Sequence, residues 1–140
     1  MSVENVTLAR RFNLEVMKLL RFKEAVVGKS KETSLMIKKL EVVGRTKPFV
    51  VFELWVQHVG PYAHQIKARD NSVFDLGEVK SNETFMAFGV HEAWEALSDE
   101  QRARFWDLVN GIMQMAAQVM RERRVPGLLD VAGSLLQTFV

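Results

Sequence analysis

The sequence predicts an all-α protein, a single compact bundle of about five to seven helices built by residues 1–140 as one domain. Three observations predict it. Apolar residues return at three- and four-residue steps through most of the chain, which is the period of one helix face. A helix-start signal, Ser98 followed by Gln101, stands directly before the longest such run. The one stretch that also reads as a strand, "PFVVFELWVQHVG", has no convincing strand partners elsewhere in the chain.

The elements follow in order. "LARRFNLEVMKLLRFKEAVV" puts Leu8, Phe12, Val16, Leu19, Leu20 and Val26 on one stripe, with Arg10, Arg11, Lys18, Arg21 and Lys23 mostly over the remainder. Gly28 and Ser30 break the pattern, and "KETSLMIKKLEVV" resumes it until Gly44. Thr46 suits an N-cap and Pro48 a first helical turn, predicting a mostly buried central helix over 48–59 whose thin polar stripe is Glu53 and Gln57. The aromatic and β-branched content of that stretch fits a strand as well, and "LEVVGRTKPFVVF" fits a hairpin; the lack of partners favours the helix. Gly60 and Pro61 end it, because the residue before a proline is pushed out of helical geometry.

"PYAHQIKARD" restarts as a short helix, and the polar, turn-rich "NSVFDLGEVKSNET" is expected to be an exposed loop. "FMAFGVHEAWEAL" is expected to make a helix of about three turns. At Ser98 the hydroxyl can accept a backbone N–H while Gln101 reaches back, and Asp99 and Glu100 sit where the helix dipole favours negative charge. Ala103, Trp106, Val109, Met113, Ala116 and Met120 then recur as one face of a long helix over 99–123. Arg121, Arg123 and Arg124 crowd its C-terminal end, and "PGLLDVAGSLLQTF" supplies a last apolar helix. The 48–59 and 99–123 helices should lie at the centre, with Phe49, Phe52, Trp55, Trp94, Trp106, Val109 and Met113 in the core.

A chain of this length buries roughly two thirds of the surface its unfolded form exposes, and 48% apolar residues can supply that core. The absence of cysteine excludes disulfides and thiolate metal sites and suits a reducing compartment. "MSVENVTLARRF" carries charge where a signal peptide needs an apolar run, and the longest apolar stretch is too short to span a bilayer. These features predict an intracellular protein with no membrane partner. The net charge of +2 hides an asymmetry: residues 1–47 hold eleven Lys and Arg against five Glu, whereas residues 48–100 hold three against nine acids. A basic first third fits an acidic partner surface or nucleic acid. It also fits the acidic middle, within one molecule or across a homodimer.

No motif makes an active site. Gly28-Lys29-Ser30 ends like a phosphate loop, but Lys23 stands where that motif needs glycine, so a loop between helices is expected. His58 and His64 are six apart and cannot share a helix face as a zinc pair does; each histidine, His91 included, is expected to be structural or surface-exposed. No serine lies in a nucleophile elbow. Glu53, if buried, would need a partner or a raised pKa. Met113, Met115 and Met120 fit either an adaptable surface or plain core, the latter being commoner. Neither a cofactor nor a metal site is expected.

Two segments share a pattern with known proteins. "PFVVFELWVQHVGPYAHQIKARDNSVF" and "AWEALSDEQRARFWDLVNGIMQMA" together resemble small all-helical proteins encoded by large nucleocytoplasmic DNA viruses. The matching positions are Phe52, Pro61, Tyr62, Ile66, Asp70, Phe74, Trp94, Leu97, Ser98 and Trp106; the family's paired aromatics after Asp70 are here Val73 and Phe74, set off by Asn71 and Ser72. The resemblance implies an all-helical protein of viral origin and brings no activity or catalytic residues. The expected function is therefore a non-enzymatic, virus-encoded helical protein that binds another protein, in host cytoplasm, nucleus or virion. The alternative is a nucleic-acid-binding accessory protein. Candidate contacts for an acidic partner or nucleic acid are Arg10, Arg11, Arg21, Lys38, Lys39, Arg121, Arg123 and Arg124.

Overall fold

The apolar stripe of the first segment becomes one wall of a helical bundle. A computed structural model describes residues 3–123 and 126–140, and among them there is no strand. Eight α-helices follow in chain order: α1 (Val3–Val27), α2 (Lys31–Thr46), α3 (Val50–His58), α4 (Ala63–Lys67), α5 (Gly77–Lys80), α6 (Glu83–Phe88), α7 (Asp99–Glu122) and α8 (Gly133–Thr138). Short 3-10 turns link several of them. The all-α expectation holds, and the helices number one more than its upper count because the expected loop folds up.

α1 is about 37 Å long by its helical rise and buries Ala9, Phe12, Val16, Leu19 and Leu20 completely. Gly28 at φ 96° stops it, a conformation that only glycine adopts without strain. Ser30 then caps α2, its hydroxyl accepting the Thr33 N–H at 3.2 Å. α1 packs along α7 and against α2, α3 and α6, while α8 covers α4 and the 60–62 turn.

α3 is the short apolar element these helices enclose. Phe52 and Trp55 are fully buried against Phe12, at centroid distances of 5.4 and 6.3 Å, and Trp55 meets Phe88 at 4.9 Å. The Trp55 indole N–H donates to the Met113 sulfur at 3.1 Å and so ties α3 to the middle of α7. A second aromatic group explains the tryptophans of the 91–123 segment. Phe74 stacks on Trp106 at 5.6 Å and packs against Trp94 at 5.2 Å and Phe105 at 6.0 Å. All seven residues expected in the core are buried.

Several boundaries differ from expectation, each for a local reason. Thr46 does not cap α3. The α2 hydrogen-bond ladder runs on through Gly44 until Lys47 N–H meets the Val43 carbonyl, and α3 starts at Phe49 without a side-chain cap. The expected 71–84 loop is instead a 3-10 turn followed by α5. The Asp70 carboxylate accepts the Ser72 N–H at 3.0 Å, and Val73, Phe74 and Val79 turn inward. The expected three-turn helix at 85–97 breaks at Gly89, whose ψ of 157° is extended, leaving α6 and a 3-10 turn over His91–Ala96. The C-terminal segment likewise divides into a turn over Pro126–Leu128 and α8.

The Ser98 capping box forms in full: Gln101 N–H to the Ser98 hydroxyl at 3.1 Å, and Ser98 N–H to the Gln101 side chain at 2.9 Å. Ala103 is exposed, whereas Phe105, Leu108 and Ile112 are buried beside the expected face, so α7 is covered on a wider arc than one stripe. Lys23, expected among the surface cations of α1, is 3% exposed. Its ammonium donates to the carbonyls of Met86 and Ala87 at the C-terminal end of α6, which the Thr33 hydroxyl also reaches at 3.0 Å.

Candidate interaction groove

Side chains of α1 that fall off the core stripe build the most developed surface feature. Leu14 lies two residues, about 200° of helical turn, from buried Phe12; it is 63% exposed. It and Met17 form a ridge between two grooves. The larger, about 720 Å³, runs between α1 and α7 with Leu14, Met17, Phe22, Leu108 and Met115 as its apolar surface. Its rim carries Arg11, Lys18, Arg21 and Arg104 against the single carboxylate of Glu15. The smaller, about 410 Å³, lies between α1 and α2 and adds Leu40, Gly44, Arg10 and Arg45. Gly44 leaves its floor open beside Asn13, which donates to the Pro48 carbonyl at 3.0 Å.

The rim charges are held loosely. Lys18 meets Glu15 at 2.9 Å, and Arg21 meets Glu24 at 2.9 Å and Glu41 at 3.2 Å, all within the N-terminal third and with the cations more than half exposed. Only Arg21–Glu41 is exposed at both ends and contributes little, whereas Glu15 and Glu24 sit deeper than the cations they meet. Arg10, Arg11, Lys38 and Lys39 are exposed and form no ion pair among the described residues. Among the described residues none of these exposed cations pairs with the acidic middle of the chain, whose ion pairs there are Arg69 to Asp107 and Glu95 to Arg102.

The candidate contacts therefore separate into two sets. Arg10, Arg11 and Arg21 border the grooves, and Lys38 and Lys39 lie on the exposed side of α2 with Leu35 and Val42. Arg121 and Arg123, named among the candidate contacts, are engaged within the molecule. Arg121 donates to the Phe139 carbonyl, and the Arg123 guanidinium lies over the Phe49 ring at 3.7 Å. Arg124 lies outside the described residues. Met113 and Met120 are core; Met115, only partly buried, faces the groove.

Among the described residues no arrangement for covalent chemistry gathers around these surfaces; the His91 side chain lies outside the described residues. His58 shares a hydrogen bond with Asn82 at 3.1 Å, and His64 is exposed. Glu53 is exposed, so the question of a buried carboxylate does not arise. The Gly28-Lys29-Ser30 segment joins two helices, as expected. Among the described residues no three metal-binding side chains converge. The space enclosed by Trp55, Phe74, Phe85 and Trp106 is about 10 Å³, at most one water molecule. A shallow cleft of about 440 Å³ exposes edges of Phe74 and Trp94 beside Asp75, Glu95 and Lys80, mixed in charge and open.

The positions behind the viral resemblance are folding positions. Phe52, Ile66, Phe74, Trp94, Leu97 and Trp106 are buried, Asp70 caps a turn, and Ser98 caps α7. No known protein family, curated protein or solved structure matches the chain. No helix among the described residues is long and apolar enough to cross a membrane.

Leu14, Met17 and Phe22 were not singled out by the sequence pattern, whereas Met115 was one of the three methionines read as either adaptable surface or core. The available signal was apolar residues on the face of α1 opposite its core stripe.

Proposed function

We propose that this is a non-enzymatic helical protein that acts by binding another protein, and that the basic-rimmed groove between α1 and α7 is where it binds. The observation that carries the proposal is Leu14. A large apolar side chain stands 63% exposed, continuous with Met17 and Phe22, inside a ring of arginine and lysine. Exposed apolar surface bordered by charge is characteristic of interaction sites. Viral origin is part of the same proposal and is supported by the residue pattern of 48–117, with action in host cytoplasm, nucleus or virion.

The test is affinity capture from cells with the wild-type chain and with Leu14→Glu/Met17→Glu. A partner that is retained by the first and lost by the second supports the proposal. Recovery of the same proteins by both, or turnover of a small molecule by the purified chain, overturns it.

Nucleic acid is the second reading, favoured by the exposed Arg10, Arg11, Lys38 and Lys39, which form no ion pair among the described residues. Two observations weigh against it: an apolar ridge runs through the middle of the cations, and Arg121 and Arg123 are occupied elsewhere. Duplex titration decides it. Each neutralised phosphate should contribute a log–log salt slope of about −0.9, and absence of binding at low salt removes this reading. A second copy of the chain is the remaining competitor, since its own middle is acidic. Light scattering at two salt concentrations reports it as a salt-sensitive dimer.

A further inference from the structure

We infer that the occupant of the α1–α7 groove is an acidic amphipathic helix of about three turns, presented by a different protein. The inference rests on the groove being the binding surface, and adds what must fill it. Shape comes first. The groove follows α1 from Arg11 to Phe22 and α7 from Arg104 to Met115, about 16 Å along each by helical rise. Two helices forming parallel walls leave a trough that receives a third helix, with anchors at i, i+4 and i+7 spanning about 10 Å of it. Leu14, Met17, Leu108 and Met115 give those anchors apolar and partly flexible contacts.

Charge then selects the occupant. The rim offers Arg11, Lys18, Arg21 and Arg104 against Glu15, with Glu24 and Glu41 behind Arg21. A helix with carboxylates flanking its apolar stripe therefore meets four cations, of which Arg11 and Arg104 form no ion pair among the described residues. A basic or neutral helix with the same stripe gains only the apolar contacts. The Lys18 and Arg21 ends of the rim pairs are more than half exposed and can turn to an incoming carboxylate. A second copy fits less well. The acidic middle of this chain exposes one large apolar residue, Leu76, and it lies between two short elements rather than on a long amphipathic face.

The test uses the full chain and three fluorescent peptides of about 15 residues, long enough to hold helical structure. All carry leucine at i, i+4 and i+7; their flanks are glutamate, glutamine or lysine. The glutamate peptide should bind about ten-fold or more tightly than the other two. Its affinity should fall with added salt and fall about ten-fold or more in Leu14→Glu, a substitution at an exposed site whose unchanged circular dichroism certifies the fold. Arg11→Glu/Arg104→Glu should invert the preference toward the lysine peptide. Equal binding of the glutamine and glutamate peptides, both lost in Leu14→Glu, overturns the acidic occupant and leaves the groove as a binding surface. Binding of the glutamate peptide that ignores Leu14→Glu places it elsewhere and overturns the inference as well.

Discussion

Two residues on α1 show how little of a helical sequence is decided by hydrophobicity alone. Phe12 and Leu14 are both large and apolar, yet one is fully buried and the other 63% exposed, because two residues of helix turn them to opposite faces. Trp55→Ala should cost about 3–5 kcal/mol in urea denaturation, since the ring is fully buried and its N–H bond to Met113 disappears. Leu14→Glu should change stability by no more than about 0.5 kcal/mol. Comparable losses at the two sites would remove the distinction between core and binding surface. Tyr62, the chain's single tyrosine, gives a titration at the same scale. Partial burial raises its phenol above the usual value of 10.0, helped by the hydrogen bond it donates to Glu78 and by that carboxylate's charge. A raised folded-state pKa means stability fully present below 10 and lost as pH rises through the folded value. Phenolate absorbance should show a midpoint above 10, and Glu78→Gln should lower it without removing the contribution of burial. A midpoint at or below the ordinary phenol value contradicts the packing around Tyr62.

The elements were legible where their signals were local. α1 and α7 follow their apolar periodicity, α3 shows the thin polar stripe of Glu53 and Gln57 that marked it as a helix, and the Ser98 capping box forms as its residue spacing predicts. Ser98→Ala should therefore cost about 1 kcal/mol, measured by chemical denaturation, and a neutral result would mean that tertiary packing alone fixes the start of α7. Elements were misread where a tertiary contact outweighs local composition. The 71–84 stretch is polar and turn-rich, but Val73, Phe74 and Val79 have the aromatic group and its surroundings to fill, and that burial folds the stretch into a 3-10 turn and α5. Gly89 ends α6 early because the next segment must bring Trp94 back over Phe74. Lys23 is the clearest single case. Its position on α1 looks like surface, but the end of α6 supplies carbonyls for its ammonium, a pairing 63 residues distant that no local pattern encodes.

At the scale of the whole molecule, the charge split was visible in the sequence but its disposition was not. Among the described residues the exposed cations of the first third pair with carboxylates of that same third, border the apolar ridge of α1 or lie on α2, and none pairs with the acidic middle. The Arg121–Arg123 end, which looked equally available, is drawn into contacts with Phe139 and Phe49. Among the described residues the α1–α7 groove joins exposed apolar area to a mainly positive rim, bounded by the two longest helices, while α2 carries a smaller basic face with Leu35 and Val42. Site-specific photo-crosslinking in cells tests that claim most directly, with the reactive group placed in turn at positions 14 and 17 in the groove and at 35, 76 and 129 outside it. Crosslinks to one protein partner from 14 and 17, absent from the other three, are the predicted result. Crosslinks spread evenly over the five positions, or confined to those outside the groove, would contradict it.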